Sequence, residues 1–388
     1  MDKTYYFDYN ATTPTDPRVV DAMAPFFTEK FHNPSSFYRH AGQAFQAMEA
    51  ARASVAALLH ASAKEIIFTS GGTESDNLAI QGVAAKLKAK GNHLITTKIE
   101  HPAVLNTCQH LAKSGFEVTF LPVDRVGMVD PDALRQSIRP ATILVSIMHA
   151  NNEIGTIQPL KELIAITHEK GALFHSDAVQ STGKLPINVK DLDIDLLSFS
   201  SHKIYGPKGM GVLYVKSGVK LEPLLFGGGH ERGLRSGTEN VPGIIGLGKA
   251  AELAGQEMAA EEKRLRPLRD RLETEFRRII PDIMVNGDTR QRLYNTLNLS
   301  IRFIEGEAML GYLDQHGLAL SSGSACSAKS LEPSHVLLAI GLSHEDAHGS
   351  LRISLGKYNQ PADVDKLIEV LPPIVEKLRS MSPFWKKK

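Results

Sequence analysis

Side chains able to do chemistry recur where apolar stretches of this 388-residue chain give way to small and polar residues. The run Ser198-Phe199-Ser200-Ser201-His202-Lys203-Ile204-Tyr205-Gly206-Pro207-Lys208-Gly209 ends a strand-like stretch with hydroxyls, an imidazole and an amine. A lysine that forms a Schiff base needs a fixed position and a lowered amine pKa. The end of a rigid element in a partly dry site supplies both. Ser200 and His202, just before Lys203, suit a phosphate. A lysine in a turn is ordinarily a solvated surface residue, so the reading of Lys203 depends on its companions.

Those companions follow other strand-like stretches. In Phe174-His175-Ser176-Asp177-Ala178-Val179-Gln180, Asp177 falls at a strand end, where ligands of open α/β sheets bind. An acid there can keep a ring nitrogen protonated so that the ring accepts electrons, and Gln180 can donate to a ring hydroxyl. Alone, Asp177 would as readily be a helix cap. In Thr69-Ser70-Gly71-Gly72-Thr73-Glu74-Ser75, two glycines allow close backbone approach, and the following helix start favours an anion. A plain N-cap is the bland alternative, and neither a nucleotide P-loop nor a dinucleotide fingerprint fits. His101, in Lys98-Ile99-Glu100-His101-Pro102, can stack on a flat cofactor and move protons, although a lone histidine is usually structural. Asn152 of Ala150-Asn151-Asn152-Glu153 can reach a ring hydroxyl or the substrate. Arg352, inside the apolar run Ser350-Leu351-Arg352-Ile353-Ser354, either meets an internal acid or awaits a carboxylate.

The last group is Ser321-Ser322-Gly323-Ser324-Ala325-Cys326-Ser327-Ala328. Small polar residues cannot pack a core, so an exposed, mobile loop is expected there. A thiol in such a loop suits attack on a substrate and delivery elsewhere. Cys108, in a helical stretch, reads as packing.

The elements that must position these residues alternate. Strands are expected at 65–69, 93–97, 118–122, 142–148, 172–175 and 195–200. Helical patterns lie between them: Phe45, Met48, Arg52, Val55 and Leu59 fall near a 3.6-residue period, and 160–170 stops at Gly171. This alternation predicts an α/β fold with a mostly parallel sheet covered on both faces. After residue 250 the pattern becomes a charged helix over 252–280, a strand at 296–301, a helix at 307–315, a strand at 351–355 and a final helix at 361–379. The expected division is a large domain, 15–250, and a smaller α+β domain of 1–14 and 251–388 that carries Cys326.

A net charge of +1 gives no basic field for nucleic acid. Two cysteines are too few for a disulfide framework or a zinc site, so no structural metal is expected. With no apolar run near the ~18 residues a membrane span needs and no signal-like start, a cytoplasmic enzyme is expected.

Taken in order, these motifs resemble the cysteine desulfurases of the nitrogenase and iron–sulfur assembly type, within the class V aminotransferases. The likeness runs from Asp8-Tyr9-Asn10-Ala11-Thr12-Thr13-Pro14 through Asn33-Pro34-Ser35-Ser36, Gly72-Thr73-Glu74-Ser75, Glu100-His101-Pro102 and Asn151-Asn152-Glu153. It continues through Asp177-Ala178-Val179-Gln180, Ser201-His202-Lys203, Arg235-Ser236-Gly237-Thr238-Glu239-Asn240 and Ser324-Ala325-Cys326. The resemblance implies fold-type-I pyridoxal-phosphate architecture with a seven-stranded-type sheet, and a homodimer. It implies Lys203 as the residue that binds pyridoxal 5′-phosphate covalently, Asp177 on the ring nitrogen, Gln180 and Asn152 as ring contacts, and His101 stacked on the ring. Gly72, Thr73, Ser200 and His202 would hold the phosphate, and Thr238 the phosphate of the partner subunit. Arg352, with Asn152, would hold the carboxylate of L-cysteine. Cys326 would become the persulfide, pass its sulfur to an iron–sulfur scaffold or another acceptor, and serve as a transient iron–sulfur ligand. Two rivals differ in class: a selenocysteine lyase or aminotransferase using the same cofactor, and a non-catalytic sulfur-trafficking protein that keeps the fold. The tail after Tyr358 diverges from the pattern.

Overall fold

Short runs rich in branched and aromatic residues make the strands here, and most strands of the largest sheet are buried throughout. The computed structural model describes residues 4–322 and 332–385, so Cys326 lies outside the described residues. In chain order the strands are β1 (Tyr5–Tyr6), β2 (Ile66–Thr69), β3 (His93–Thr97), β4 (Glu117–Leu121), β5 (Thr142–Ser146), β6 (Leu173–Asp177), β7 (Leu196–Ser200), β8 (Gly211–Val215), β9 (Ile283–Asn286), β10 (Thr296–Ile301), β11 (Leu318–Ala319) and β12 (Ser350–Ser354).

Seven of them form one sheet in the order β2-β8-β7-β6-β5-β3-β4. β3 to β7 run parallel, and β8 runs antiparallel to both β7 and β2. The carboxyl ends of β2, β3, β5, β6 and β7 therefore meet one edge, where open α/β sheets bind ligands. The sequence pattern does not reveal β8, because its first residue continues a Gly- and Pro-rich turn. Gly211 at that start lies so close to Gly71 that a Cβ on Gly211 would meet the Gly71 Cα at 2.6 Å.

Helices cover both faces. Helix Arg39–Leu58 and the first half of helix Val241–Ile279 pack Met48, Val55, Leu247 and Ala251 on one face. Helices Gly72–Leu87 and Pro102–Lys113 pack Leu78, Val83, Val104 and Cys108 on the other. Cys108 is a core residue, and burial pushes its thiol up to about 12. The long helix begins well before the expected 252. Its glycines weaken local propensity, but Gly248 lets it touch helix Arg39–Leu58, where a Cβ would meet the Ala51 Cα at 2.6 Å. Its second half supplies Leu265, Leu272 and Phe276 to another core. That core lies on an antiparallel sheet, β12-β10-β9, with helices Gly306–Gln315 and Pro361–Met381. β1 pairs with β11 beside this core, and the chain then runs from Phe7 towards the strand ends of the large sheet.

Candidate active site

A cavity of about 290 Å³ opens at the carboxyl edge of the large sheet. Gly72, Thr73, His101, Asn152, Asp177, Gln180, Ser200, His202, Lys203 and Arg352 all line it. They come from the ends of β2, β3, β5, β6, β7 and from β12, which is why residues far apart in sequence meet. Thr238 does not line this cavity. It lies in a separate hollow with Phe68, Ser70 and Arg235.

Lys203 ends the tight turn Ser201–Lys203 that follows β7. Its Nζ donates to the carbonyl oxygens of Asn10 at 2.5 Å and Ala11 at 2.6 Å. The N-terminal segment straps this turn down. Thr13 N and Oγ1 both donate to His202 O at 3.0 Å, and Tyr205 N donates to Thr13 Oγ1 at 3.0 Å. Asn10 is itself fixed, donating from N to Ser354 Oγ at 2.9 Å and from Nδ2 to Thr296 Oγ1 at 2.9 Å. Sequence reasoning carries this segment in the family likeness but gives it no role. The signal that could have found it is an asparagine ahead of a Thr-Thr-Pro turn.

His101 caps helix Pro102–Lys113, its Nδ1 accepting from Ala103 N at 3.1 Å. In the neutral ring the proton therefore sits on Nε2. Burial lowers its pKa, Asp177 works against that, and Lys203 and His335 add to it. His202 is pushed down to about 4 by burial and by Lys203, Lys208 and Lys184, so it is neutral near pH 7. Its Nδ1 lies 3.0 Å from Thr12 Oγ1.

Beneath lies a group of buried acids. Burial raises the pKa of Asp177, against His101, the Val179 N–H and Lys203. Asp76, also lining the cavity, is raised well above the carboxylate range by burial and then by Asp177. Among the described residues its Oδ1 has no hydrogen-bond partner and lies 3.6 Å from His175 Nε2. Glu100 is pushed up to about 8 by burial, against donors from Thr97 and Met148, with Asp177 adding to the rise. In sequence Asp76 and Glu100 look like ordinary helix-start acids. Their burial carries the signal, and a sequence does not display it.

The cavity fits pyridoxal 5′-phosphate. A protonated ring nitrogen against Asp177 would offset the cost of keeping that carboxylate ionised. Helix Gly72–Leu87 starts at Gly71 with no side-chain cap, leaving its first N–H groups for a phosphate. Arg352 lies at the far side. It donates to Asp8 Oδ1 at 2.8 Å and to Asn152 O at 3.2 Å, and its buried Nε has no hydrogen-bond partner among the described residues. The two readings of this arginine thus coexist, since it both meets an internal acid and lines the ligand cavity.

The aminotransferase class-V family model matches residues 5–367. The cysteine desulfurase IscS of Clostridium botulinum is 54% identical over 387 residues, covering 99% of this chain and 98% of that one. A solved NifS-like protein is 40% identical with a TM-score of 0.91, over 97% of this chain and all of that one. A structure described as SspA in complex with cysteine is also 40% identical, with a TM-score of 0.81, over 92% of this chain and 100% of that one. With likeness running the length of the chain and the cofactor cavity formed at its strand ends, the protein belongs to the aminotransferase class-V family.

Proposed function

We propose that the protein is a pyridoxal-phosphate-dependent cysteine desulfurase, converting L-cysteine to L-alanine and taking the sulfur as a persulfide on Cys326. The observation that carries this is the convergence of Lys203, Asp177, His101 and Arg352 on one cavity, in a chain so similar to cysteine desulfurases. When bound, pyridoxal phosphate joins an amine through its aldehyde and draws electrons from the substrate α-carbon. Asp177 holds a proton on the ring nitrogen, and Gln180 and Asn152 contact the ring's polar edge. Thr73, Ser200, His202 and the backbone at Gly72 hold the phosphate. Arg352, with Asn152, holds the substrate carboxylate. The Lys203 amine takes the Cα proton, and the His101 imidazole stacks on the ring with its exchangeable proton on Nε2. The Cys326 thiolate attacks the substrate sulfur, the carbon–sulfur bond breaks with its electron pair kept by the substrate, whose Cβ takes up a proton, and alanine leaves once Lys203 returns a proton to Cα.

The active unit in this reading is a homodimer, with Thr238 reaching the phosphate of the partner subunit. Supporting it are the position of Thr238 away from its own chain's cavity and the exposed Phe27, Phe31, Phe37 and Phe226. The persulfide sulfur goes on to an acceptor protein, an iron–sulfur scaffold in the first instance. No helix among the described residues is long and apolar enough to cross a membrane, and a cytoplasmic site of action is proposed.

The test is Cys326→Ser. It should keep cofactor absorbance and release almost no alanine, because a serine hydroxyl stays protonated where a thiol is partly ionised. The wild-type peptide containing Cys326 should gain roughly 32 mass units after cysteine is added, one sulfur. Sulfur on Cys108 instead, or wild-type turnover by the variant, would sink the reading. A keto-acid requirement would point to an aminotransferase.

A further inference from the structure

Lys184 is a buried amine with no part in the reaction described above. It lies four residues beyond Gln180 and donates to that residue twice, to the backbone oxygen at 3.2 Å and to the side-chain Oε1 at 3.0 Å. At its other end the Gln180 amide donates from Nε2 to Asn10 O at 2.9 Å. Asn10 O is also the acceptor for Lys203 Nζ. A small hollow of about 20 Å³ behind Lys203 is lined by Lys184, Tyr205 and Glu261, so this network backs directly onto the cofactor lysine.

We propose that Lys184 is a positioning residue: its amine fixes the Gln180 side-chain amide so that Nε2 faces Asn10 and the cofactor cavity. The two partners determine that orientation independently. A backbone carbonyl only accepts, so Nε2 must lie at Asn10, and an ammonium only donates, so Oε1 must lie at Lys184. Burial and then Lys203 push the Lys184 amine down to about 7, against Glu261 and with Arg352 adding. A neutral amine still carries N–H donors, so the arrangement holds in either state. Without it Oε1 would lose its partner, and a buried acceptor left unsatisfied favours another rotamer. The inference rests on Gln180 being a cofactor contact. It adds that Lys184, with the Asn10 carbonyl, holds this contact in its donor orientation.

The experiment reads the pH at which the absorbance of the bound cofactor changes in the holoenzyme. An N–H aimed at a ring oxygen favours its anionic form, so losing it should hold the proton to higher pH. Gln180→Leu and Lys184→Met should each raise the midpoint by roughly one pH unit, a tenfold change in the proton equilibrium. The double variant should move no further than either single one, as expected for residues acting as a unit. Lys184→Gln keeps an N–H donor without the charge and should stay near the wild-type midpoint. A wild-type midpoint for Lys184→Met, additive shifts in the double variant, or an equal shift in Lys184→Gln would overturn the proposal. If Lys184→Met does not fold, Lys184→Ala is read in its place, with the same expected shift and the same overturning outcomes. If Gln180→Leu itself leaves the midpoint in place, the cofactor-contact reading fails first and this proposal falls with it.

Discussion

Two buried polar clusters in this protein solve opposite problems. In one, Arg52 donates from Nη1 and Nη2 to the two carboxylate oxygens of Glu231 at 2.8 and 2.7 Å, and from Nη1 to Ile66 O at 2.9 Å. Glu231 Oε2 also accepts from Phe68 N at 2.8 Å, and the guanidinium lies 4.4 Å from the centre of the Phe68 ring. These partners belong to the chain and fix the turn Glu231–Gly233 against β2 and helix Arg39–Leu58. In the other cluster, Asp76, Glu100 and Asp177 are buried together, and burial raises the pKa of each. The first cluster is closed and serves stability. The second keeps its acids costly, as in a site that a guest with positive character completes.

The sharpest way to separate the two is at Lys203, within reach of the acid group. Lys203→Ala should lower alanine formation by at least about 10³-fold, since the proposed function gives that amine both covalent binding and proton removal. Borohydride should no longer fix the cofactor to the protein, while the unfolding midpoint of the apo chain stays close to wild type. A variant still fixed by borohydride to the wild-type extent would remove Lys203 from its role.

Arg52→Ala is the matching cut in the closed cluster. It strands Glu231 in the core, and breaking a buried pair typically costs about 3–5 kcal/mol. Denaturant unfolding should show that loss with the slope unchanged, and turnover per folded molecule should stay within about twofold. Replacing both partners by apolar residues should recover much of the stability. If Arg52→Ala instead left stability intact, the closed cluster would not be a stabilising element.

Asp177→Asn should reverse the pattern. An amide cannot hold a proton on the ring nitrogen as a carboxylate does, so kcat should fall by about 10²-fold or more. Stability of the apo chain should hold or rise slightly, because one buried acid is gone. A loss of stability like that of Arg52→Ala would show that Asp177 is structural.

Much of this site is legible in the sequence, because its residues follow apolar strands at turns rich in Gly, Ser and Asn. Lys203, Asp177 and His101 stand out in that way, and the strand-end rule for open sheets brings them together. Arg52 reads only as one point of a helical period, and nothing local marks it as half of a buried pair with Glu231. The same limit hides Asn10, Asp76 and Lys184. Their roles come from burial and, for Asn10, from partners far away in sequence, while Lys184 donates to Gln180 four residues before it, across a turn in which Gly183 has φ +74°. The long helix shows the reverse error, where glycines that weaken local propensity serve contact with a neighbouring helix.

The finest test uses the pH dependence of stability, with Glu100 as probe. Its carboxyl is pushed up to about 8 from an ordinary value of 4.5. Between those values the folded chain holds a proton that the unfolded chain has released. Stability then falls as pH rises, because the native state binds more protons than the unfolded one. The contribution from Glu100 is full below about pH 4.5, declines towards pH 8, and is flat above. Glu100→Gln cannot titrate and removes that decline. Its amide oxygen can still accept from Met148 N, which donates to the carboxylate at 3.0 Å in the native protein. The variant should therefore gain on the wild type from pH 5 to pH 8, by on the order of 2 kcal/mol, since a tenfold change in a proton equilibrium is worth about 1.4 kcal/mol and relaxation takes a share. Parallel curves for Glu100→Gln and wild type would mean that the acid is not held protonated by burial. The contrast between a closed ion pair and an open acid group would then rest on Asp76 and Asp177 alone.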